Sequence, residues 1–203
     1  SSSTRRVIRE LFGNRLPTNH SEQELANIIL AYENFDQDYI SGATDAYGLV
    51  FSSVCRFRFH NSYRPHAIEK IHNAEILNWL EQHLFLYFTH ARPKGYQVFD
   101  GRESFPEDVL REYSLTSDNT WEAIQDRDLE KLIECVNRTC QIQKKLIPGY
   151  ISVSVSAELA KINSNGMGAK LMGAGGSGYI MVVAQEQPPD TQRITVRRES
   201  LNL

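Results

Sequence analysis

An α+β fold, with helices packed on one face of an antiparallel sheet, is what this sequence predicts, and three observations predict it. Two short apolar runs, His83 to Thr89 and Tyr179 to Ala184, have the length and the aromatic or β-branched content of buried strands. Between them, Trp121, Ile124, Leu129, Leu132, Ile133, Val136, Cys140 and Leu146 approximate a helical repeat of about 3.6 residues. After residue 80 the elements therefore run strand, helix, helix, strand, strand, an order that suits layered helices and an antiparallel sheet more than alternating βα units.

Composition bounds the rest. The chain has 203 residues, 41% hydrophobic and 23% charged, enough for one large or two small globular domains. A net charge of -3 and a pI near 6.1 give no electrostatic footprint for nucleic acid or an anionic membrane, so neither is expected as a partner. Cys55, Cys135 and Cys140 form no C-x-x-C pair, which points to a reducing compartment and no metal framework. Apolar runs such as Leu84 to Phe88 fall far short of the roughly 20 residues that span a bilayer. No charged-then-apolar leader opens the sequence, and a soluble cytoplasmic protein is the expectation.

In chain order, the hydroxyl run Ser1-Ser2-Ser3-Thr4 leads into Val7, Ile8, Leu11 and Phe12, a short amphipathic helix with hydroxyls at its start. Such a start is commonly an N-cap, and it is also a place where hydroxyls and free N–H groups can meet phosphate and Mg2+. Ser21-Glu22-Gln23-Glu24 is a capping box that opens a helix with Leu25, Ile28, Ile29 and Tyr32 on one face, ending near Phe35. Glu33 sits close to that end, where the helix dipole disfavours a carboxylate, so it is either solvated or used. A small-residue turn, Ser41 to Leu49, then carries Asp45 in its middle.

Cys55, Phe57 and Phe59 alternate with Arg56, Arg58 and His60 as a half-buried strand, paired with the segment from His66 to Ile71. The chain is expected to turn at Asn73 to Trp79 before the buried strand His83 to Thr89, which opens onto His90 to Gly95. A short helix at Pro106 to Tyr113 and a long one capped by Asp118 follow, the latter disturbed near Asp126-Arg127-Asp128 and stopped before Pro148-Gly149. Cys135 and Cys140, five apart, point in different directions and pack rather than pair. Tyr150 to Val155 reads as an extended link, Ser156 to Ile162 as a short helix, and Arg193 to Arg198 as a last strand.

Five glycines fall between Gly168 and Gly178, directly before the strand at Tyr179, so a backbone free to take positive φ and to approach a ligand closely feeds a buried strand. A plain glycine-rich hairpin is the bland account of the same stretch. The order Lys170, Leu171, Gly173-Ala174-Gly175-Gly176 and then a strand resembles the third motif of the GHMP kinases (galactokinase, homoserine kinase, mevalonate kinase, phosphomevalonate kinase and relatives). Asp45 lies twelve residues after Glu33, a spacing similar to that of the metal-binding Glu and the turn Asp of galactokinase-, heptose kinase- and fucokinase-type members. The hydroxyl run, Glu33, Asp45 and the glycine loop thus resemble that branch at four points in sequence order.

The resemblance implies the C-terminal portion of such a kinase. Residues 1–80 would be the latter part of the N-terminal domain (ribosomal S5 domain 2-like), and 81–203 a ferredoxin-like α+β C-terminal domain; the first motif and the start of the second would lie upstream. It implies ATP and Mg2+ as cofactors and a small-molecule sugar as substrate, of heptose or fucose type, phosphorylated at the anomeric hydroxyl. One of Ser1, Ser2 and Ser3 would meet phosphate and metal, Ser2 standing for it in the metal set with Glu33. Asp45 would accept or orient the hydroxyl proton, and Gly173, Ala174, Gly175 and Gly176 would line the phosphoryl-transfer site. Two departures stand out: Ala46 occupies a position where Gln is common in this branch, and Ser177 interrupts the glycines. The 203 residues alone are expected to turn over little. A catalytically silent sugar-binding or regulatory protein of the same fold is the competing reading.

Overall fold

The computed structural model describes residues 2–13, 16–35, 42–96, 98, 104–173 and 175–199, with Ser2, Ser3 and Arg5 described by backbone alone. It divides into two compact units, residues 1–73 with 196–203, and residues 74–195. The chain crosses between them twice.

The first unit packs helices α1 (Ser2–Phe12), α2 (Glu22–Glu33) and α3 (Ala43–Val50) with a two-stranded antiparallel sheet, β1 (Val54–Arg58) and β2 (Ala67–Ile71). Its core joins Val7 and Ile8 of α1, Leu25, Ala26, Ile29 and Leu30 of α2, and Ala43, Ala46, Tyr47 and Val50 of α3. The Tyr47 and Phe51 rings stack at 5.7 Å between centroids, and Phe57 of β1 meets both edge-on. The capping box forms as expected, Ser21 Oγ accepting from Glu24 N and the Glu24 carboxylate accepting from Ser21 N. The buried stripe of α2 is rotated from the expected one: Ala26 and Leu30 are buried while Ile28 and Tyr32 are exposed, because the face carrying Leu25, Ala26, Ile29 and Leu30 is the one shared with α1 and α3.

In the second unit, α4 (Ala74–His83) runs into β3 (Leu84–Phe88), followed by α5 (Glu107–Asp126), α6 (Leu129–Leu146), a 3-10 turn at Pro148–Tyr150, α7 (Val153–Ser164), β4 (Gly168–Leu171), β5 (Tyr179–Val183) and β6 (Thr191–Arg193). The sheet order is β4-β5-β3-β6, every pairing antiparallel. Ala169, Leu171, Ile180, Val182 and Phe85 project to one face and meet Val155, Leu159 and Ile162 of α7. The fold class is the expected α+β.

Several elements differ from expectation. The turn expected at Asn73 to Trp79 is helix α4, whose Leu77, Leu80 and His83 recur every third residue and are buried. The short helix at Pro106 and the longer one capped by Asp118 are the single helix α5. Through its polar middle the Thr116 and Thr120 hydroxyls donate to the carbonyls four residues back, Glu112 O at 2.8 Å and Thr116 O at 2.7 Å, a local bond compatible with an unbroken helix. The disturbance at Asp126 to Asp128 is a true break: Arg127 takes φ 57°, and the Asp128 carboxylate caps α6 by accepting from Lys131 N. The expected link at Tyr150 to Val155 is shorter, since the Ser152 side chain caps α7 from Val153 onward. The last strand, expected at Arg193 to Arg198, ends at Arg193.

Cys135 and Cys140 are buried in α6 and unpaired with each other, and burial pushes both thiols up from their ordinary range. Next to them, Asn137 serves the outer edge of β4: its Oδ1 accepts from Ala169 N at 2.9 Å and its Nδ2 donates to Met167 O at 3.4 Å. Asn137→Ala is expected to cost about 1–3 kcal/mol by stranding a buried amide. Hydrogen exchange checks it: the Ala169 amide should exchange faster while the Phe85 amide of β3 is unchanged.

Candidate functional site

In the first unit, two of the expected groups fall on the paired helices α2 and α3. Glu33 is the last residue of α2, and the backbone and side chain of Asn34 cap that end through Leu30 O. A carboxylate here opposes the helix dipole, so a compensating donor is needed. Thr4 of α1, completely buried, supplies one: its hydroxyl donates to Glu33 Oε1. A hydrogen bond to a charged acceptor is worth about 1.5–3 kcal/mol. The other carboxylate oxygen, Oε2, is buried and has no hydrogen-bond partner among the described residues. Asp45 stands exposed in the first turn of α3, where the dipole favours an acid.

In the second unit, the glycine stretch is both a hairpin and a constrained loop. Gly168 to Leu171 are strand β4 rather than loop, because they pair with β5 in the register Gly168↔Val183 to Leu171↔Ile180. The loop itself is 172–178, with positive φ at Gly173 (71°), Gly175 (83°), Gly176 (84°) and Gly178 (118°). Tyr150 holds it from behind: the phenol donates to Leu171 O at 3.0 Å and Gly173 O at 3.2 Å, and Gly176 N donates to Tyr150 O at 2.7 Å. A Cβ on Gly175 would lie 2.6 Å from the Tyr150 ring, and one on Gly176 would lie 2.9 Å from Arg92 and Tyr96. Part of the glycine requirement is therefore close packing by the protein itself. Burial pushes the Tyr150 phenol from its ordinary 10.0 up to about 12 and pushes the Lys170 ammonium down. Ser177, the interruption in the glycine run, has a buried hydroxyl with no partner.

The structure thus brings Glu33 together with Thr4, places Asp45 on the adjoining helix, and gathers Gly173, Gly175 and Gly176 around Tyr150. Glu33 and Asp45 belong to one unit and the glycine loop to the other, each described within its own unit. Ser1 and Ala174 lie outside the described residues, as do the side chains of Ser2 and Ser3. The residues the sequence reading passed over are Thr4 and Tyr150. Thr4 was signalled by its position at the head of the stripe Thr4, Val7, Ile8, Leu11, with the spacing of a buried helical face. A cavity of about 620 Å³ beside α5, lined by Glu107, Asp108, Arg111, Glu112 and Leu115, includes none of these groups.

Among the described residues no three or more His, Cys, Asp or Glu side chains cluster as a metal site. Mg2+ does not require such a cage, since it is commonly held by one or two carboxylates with water and substrate phosphates. A single buried carboxylate with one oxygen unengaged fits that demand.

No family model and no curated protein sequence matches the chain. Solved structures do. A protein from Campylobacter jejuni, provisionally assigned as a sugar kinase, superposes over 100% of this chain and 62% of its own, with a TM-score of 0.64 and 18% identity. The mevalonate diphosphate decarboxylase from Enterococcus faecalis matches 82% of this chain and 51% of its own at a TM-score of 0.53 and 18% identity. A structure of MDDEF in complex with MVAPP, AMPPCP and magnesium matches 82% of this chain and 52% of its own, with a TM-score of 0.52 and 16% identity. The chain has the GHMP fold. It spans between 51% and 62% of the length of these structures.

Gly173→Ala, where a Cβ meets nothing within 4 Å, should cost about 1–2 kcal/mol for the left-handed backbone alone. Gly175→Ala adds the clash with Tyr150 and should cost more; urea unfolding of the two variants gives the comparison. Ionising Tyr150 only above about pH 12 in the folded state, against 10.0 for an ordinary phenol, makes stability full below pH 10 and decreasing between pH 10 and 12. Tyr150→Phe should flatten that alkaline slope, as read by thermal unfolding against pH.

Proposed function

We propose that this chain is the C-terminal portion of a GHMP-type kinase that transfers the γ-phosphoryl group of ATP to a sugar hydroxyl, with Mg2+. The observation that carries the reading is Glu33: a carboxylate placed against its helix dipole, held by the Thr4 hydroxyl on one oxygen and, among the described residues, without a hydrogen-bond partner on the other. A buried anionic oxygen with no donor is costly unless something cationic completes it. When bound, Mg2+ supplies charge neutralisation on the phosphates.

The remaining work falls to the chain's own residues. Glu33 Oε2, with a hydroxyl of the run at Ser1 to Ser3, would hold the cation. Thr4 keeps the Glu33 carboxylate aimed, since its buried hydroxyl donates to Oε1. Asp45, exposed at the start of α3, would orient the attacking hydroxyl and take its proton, a role that asks for hydrogen-bond reach more than for a shifted pKa. The glycines of the loop 172–178 would let its backbone approach the phosphates closely. The similarity in fold to a provisionally assigned sugar kinase favours a sugar as acceptor, and the motif spacing favours a heptose- or fucose-type sugar at the anomeric hydroxyl.

Mn2+ titration followed by electron paramagnetic resonance tests the metal assignment on the chain itself. Glu33→Gln is expected to weaken Mn2+ at least tenfold, with circular dichroism unchanged; equal affinity in the variant would sink the assignment. For the reaction, the native polypeptide should consume ATP in the presence of a heptose, fucose or galactose. Asp45→Asn should remove that turnover while leaving sugar binding within a few-fold.

A further inference from the structure

The segment after β6 returns to the first unit and ends in a half-buried charge cluster. Ser53 N donates to Arg197 O at 2.6 Å, and Arg197 Nη2 donates to Phe51 O at 2.6 Å. Phe51 is the C-cap of α3. Around the guanidinium, Lys70 Nζ of β2 reaches both Glu22 oxygens, at 2.8 and 3.1 Å, and Ser52 Oγ at 3.3 Å, and Ser52 N donates to Glu22 Oε1 at 3.3 Å. Glu22 is the first residue of α2. Burial lowers the Arg197 guanidinium from its ordinary range, with the Glu22 carboxylate acting in the opposite direction.

The bonds from Ser52 to Glu22 and from the Tyr47 phenol to Asn27 Oδ1, at 2.7 Å, show that α2 and α3 run antiparallel. The start of α2 and the end of α3 therefore lie together: Lys70 and Ser52 N bond Glu22, and Arg197 holds the Phe51–Ser53 segment that carries Ser52. Glu33 and Asp45 occupy the other half of the same helix pair, α2 being about 18 Å long. Ser53 adds a sign of tension: it takes φ 70° without being glycine, and that backbone persists because its N–H is bonded to Arg197 O and its hydroxyl to Ile71 O.

We infer that Arg197 is a positioning residue: by fixing the Phe51–Ser53 segment at the end of α3, whose Ser52 N bonds Glu22 of α2, it sets how Asp45 stands relative to Glu33. The inference rests on the phosphoryl-transfer reading for the roles of the two acids. It makes Arg197 part of the site's support. The clamp also means that the strand pairing of Thr191–Arg193 in the second unit leads, within a few residues, to the helix that bears Asp45.

The test compares Arg197→Met, which keeps the apolar stem and removes the guanidinium, with Arg197→Lys, which restores a cation, in the full chain. Two readouts are recorded by NMR: exchange rates of the α3 amides, and the paramagnetic broadening of the Asp45 amide by bound Mn2+. Arg197→Met is expected to speed α3 exchange at least tenfold, to leave α5 and α6 unchanged, and to alter the Asp45 broadening at matched Mn2+ occupancy; Arg197→Lys should recover part of both. Wild-type α3 exchange in Arg197→Met would overturn the clamp. Faster exchange with unaltered Asp45 broadening would overturn the positioning role. If Mn2+ broadens no amide of the wild-type chain, the phosphoryl-transfer reading fails, and the exchange rates with their recovery in Arg197→Lys still decide whether Arg197 holds α3.

Discussion

The second unit depends on Tyr150. Its phenol bonds to the carbonyls of Leu171 and Gly173, its carbonyl receives Gly176 N, and its ring fills the space a side chain on Gly175 would need. One residue thereby joins the end of α6, the last bond of the β4 strand and the turn that leads into β5. A glycine-rich loop is entropically costly to order, and most of that cost is met before any ligand arrives by bonds to a buried, rigid ring. Within the loop, Gly176 N is bonded to Tyr150 O and Gly178 N to the Thr89 hydroxyl, so the turn is fixed from inside the unit.

The first unit solves a different problem, that of keeping an acid where its helix repels it. Glu33 stays at the C-terminal end of α2 because α1 delivers a buried hydroxyl to it, and α1 is held in place by Val7 and Ile8 in the common core. At the other end of the helix pair the charges are arranged conventionally, with Glu22 in the first turn of α2 and paired to Lys70. The unit is thus relaxed at one end and electrostatically unsatisfied at the other. Such a division is typical of a functional end opposed to a stabilising one.

Local chemistry was the legible part of this sequence. The capping box at Ser21 and Glu24, the break at Arg127, the strands at Leu84 and Tyr179 and the burial of both α6 cysteines all follow from residues within a turn or two of one another. Features that depend on distant partners were not legible. The polar middle of α5 looked like a helix start at Asp118, since nothing in the sequence says that Thr116 and Thr120 will bond backward instead of competing with the helix. The strand Gly168–Leu171 hid inside a glycine-rich run because its partner β5 and the edge-serving Asn137 decide it, not its own propensity. Glu33 and Asp45 were singled out by spacing and resemblance; the helical stripe marks Thr4 as buried, but that its hydroxyl reaches Glu33 emerges only when α1 is packed on α2.

Sheet edges are where a protein meets copies of itself by accident, because unpaired N–H and C=O groups will accept any strand offered to them. Here one edge strand, β4, has its outward amide at Ala169 taken by Asn137 of α6. The other, β6, is only Thr191–Arg193, is preceded by Pro188-Pro189 and ends in an arginine. Neither offers a long, flat template. The sheet is thus poorly suited to edge-to-edge growth, so the second unit can carry an exposed aromatic pair such as Phe88 and Tyr179 on its strands without inviting fibril-like association.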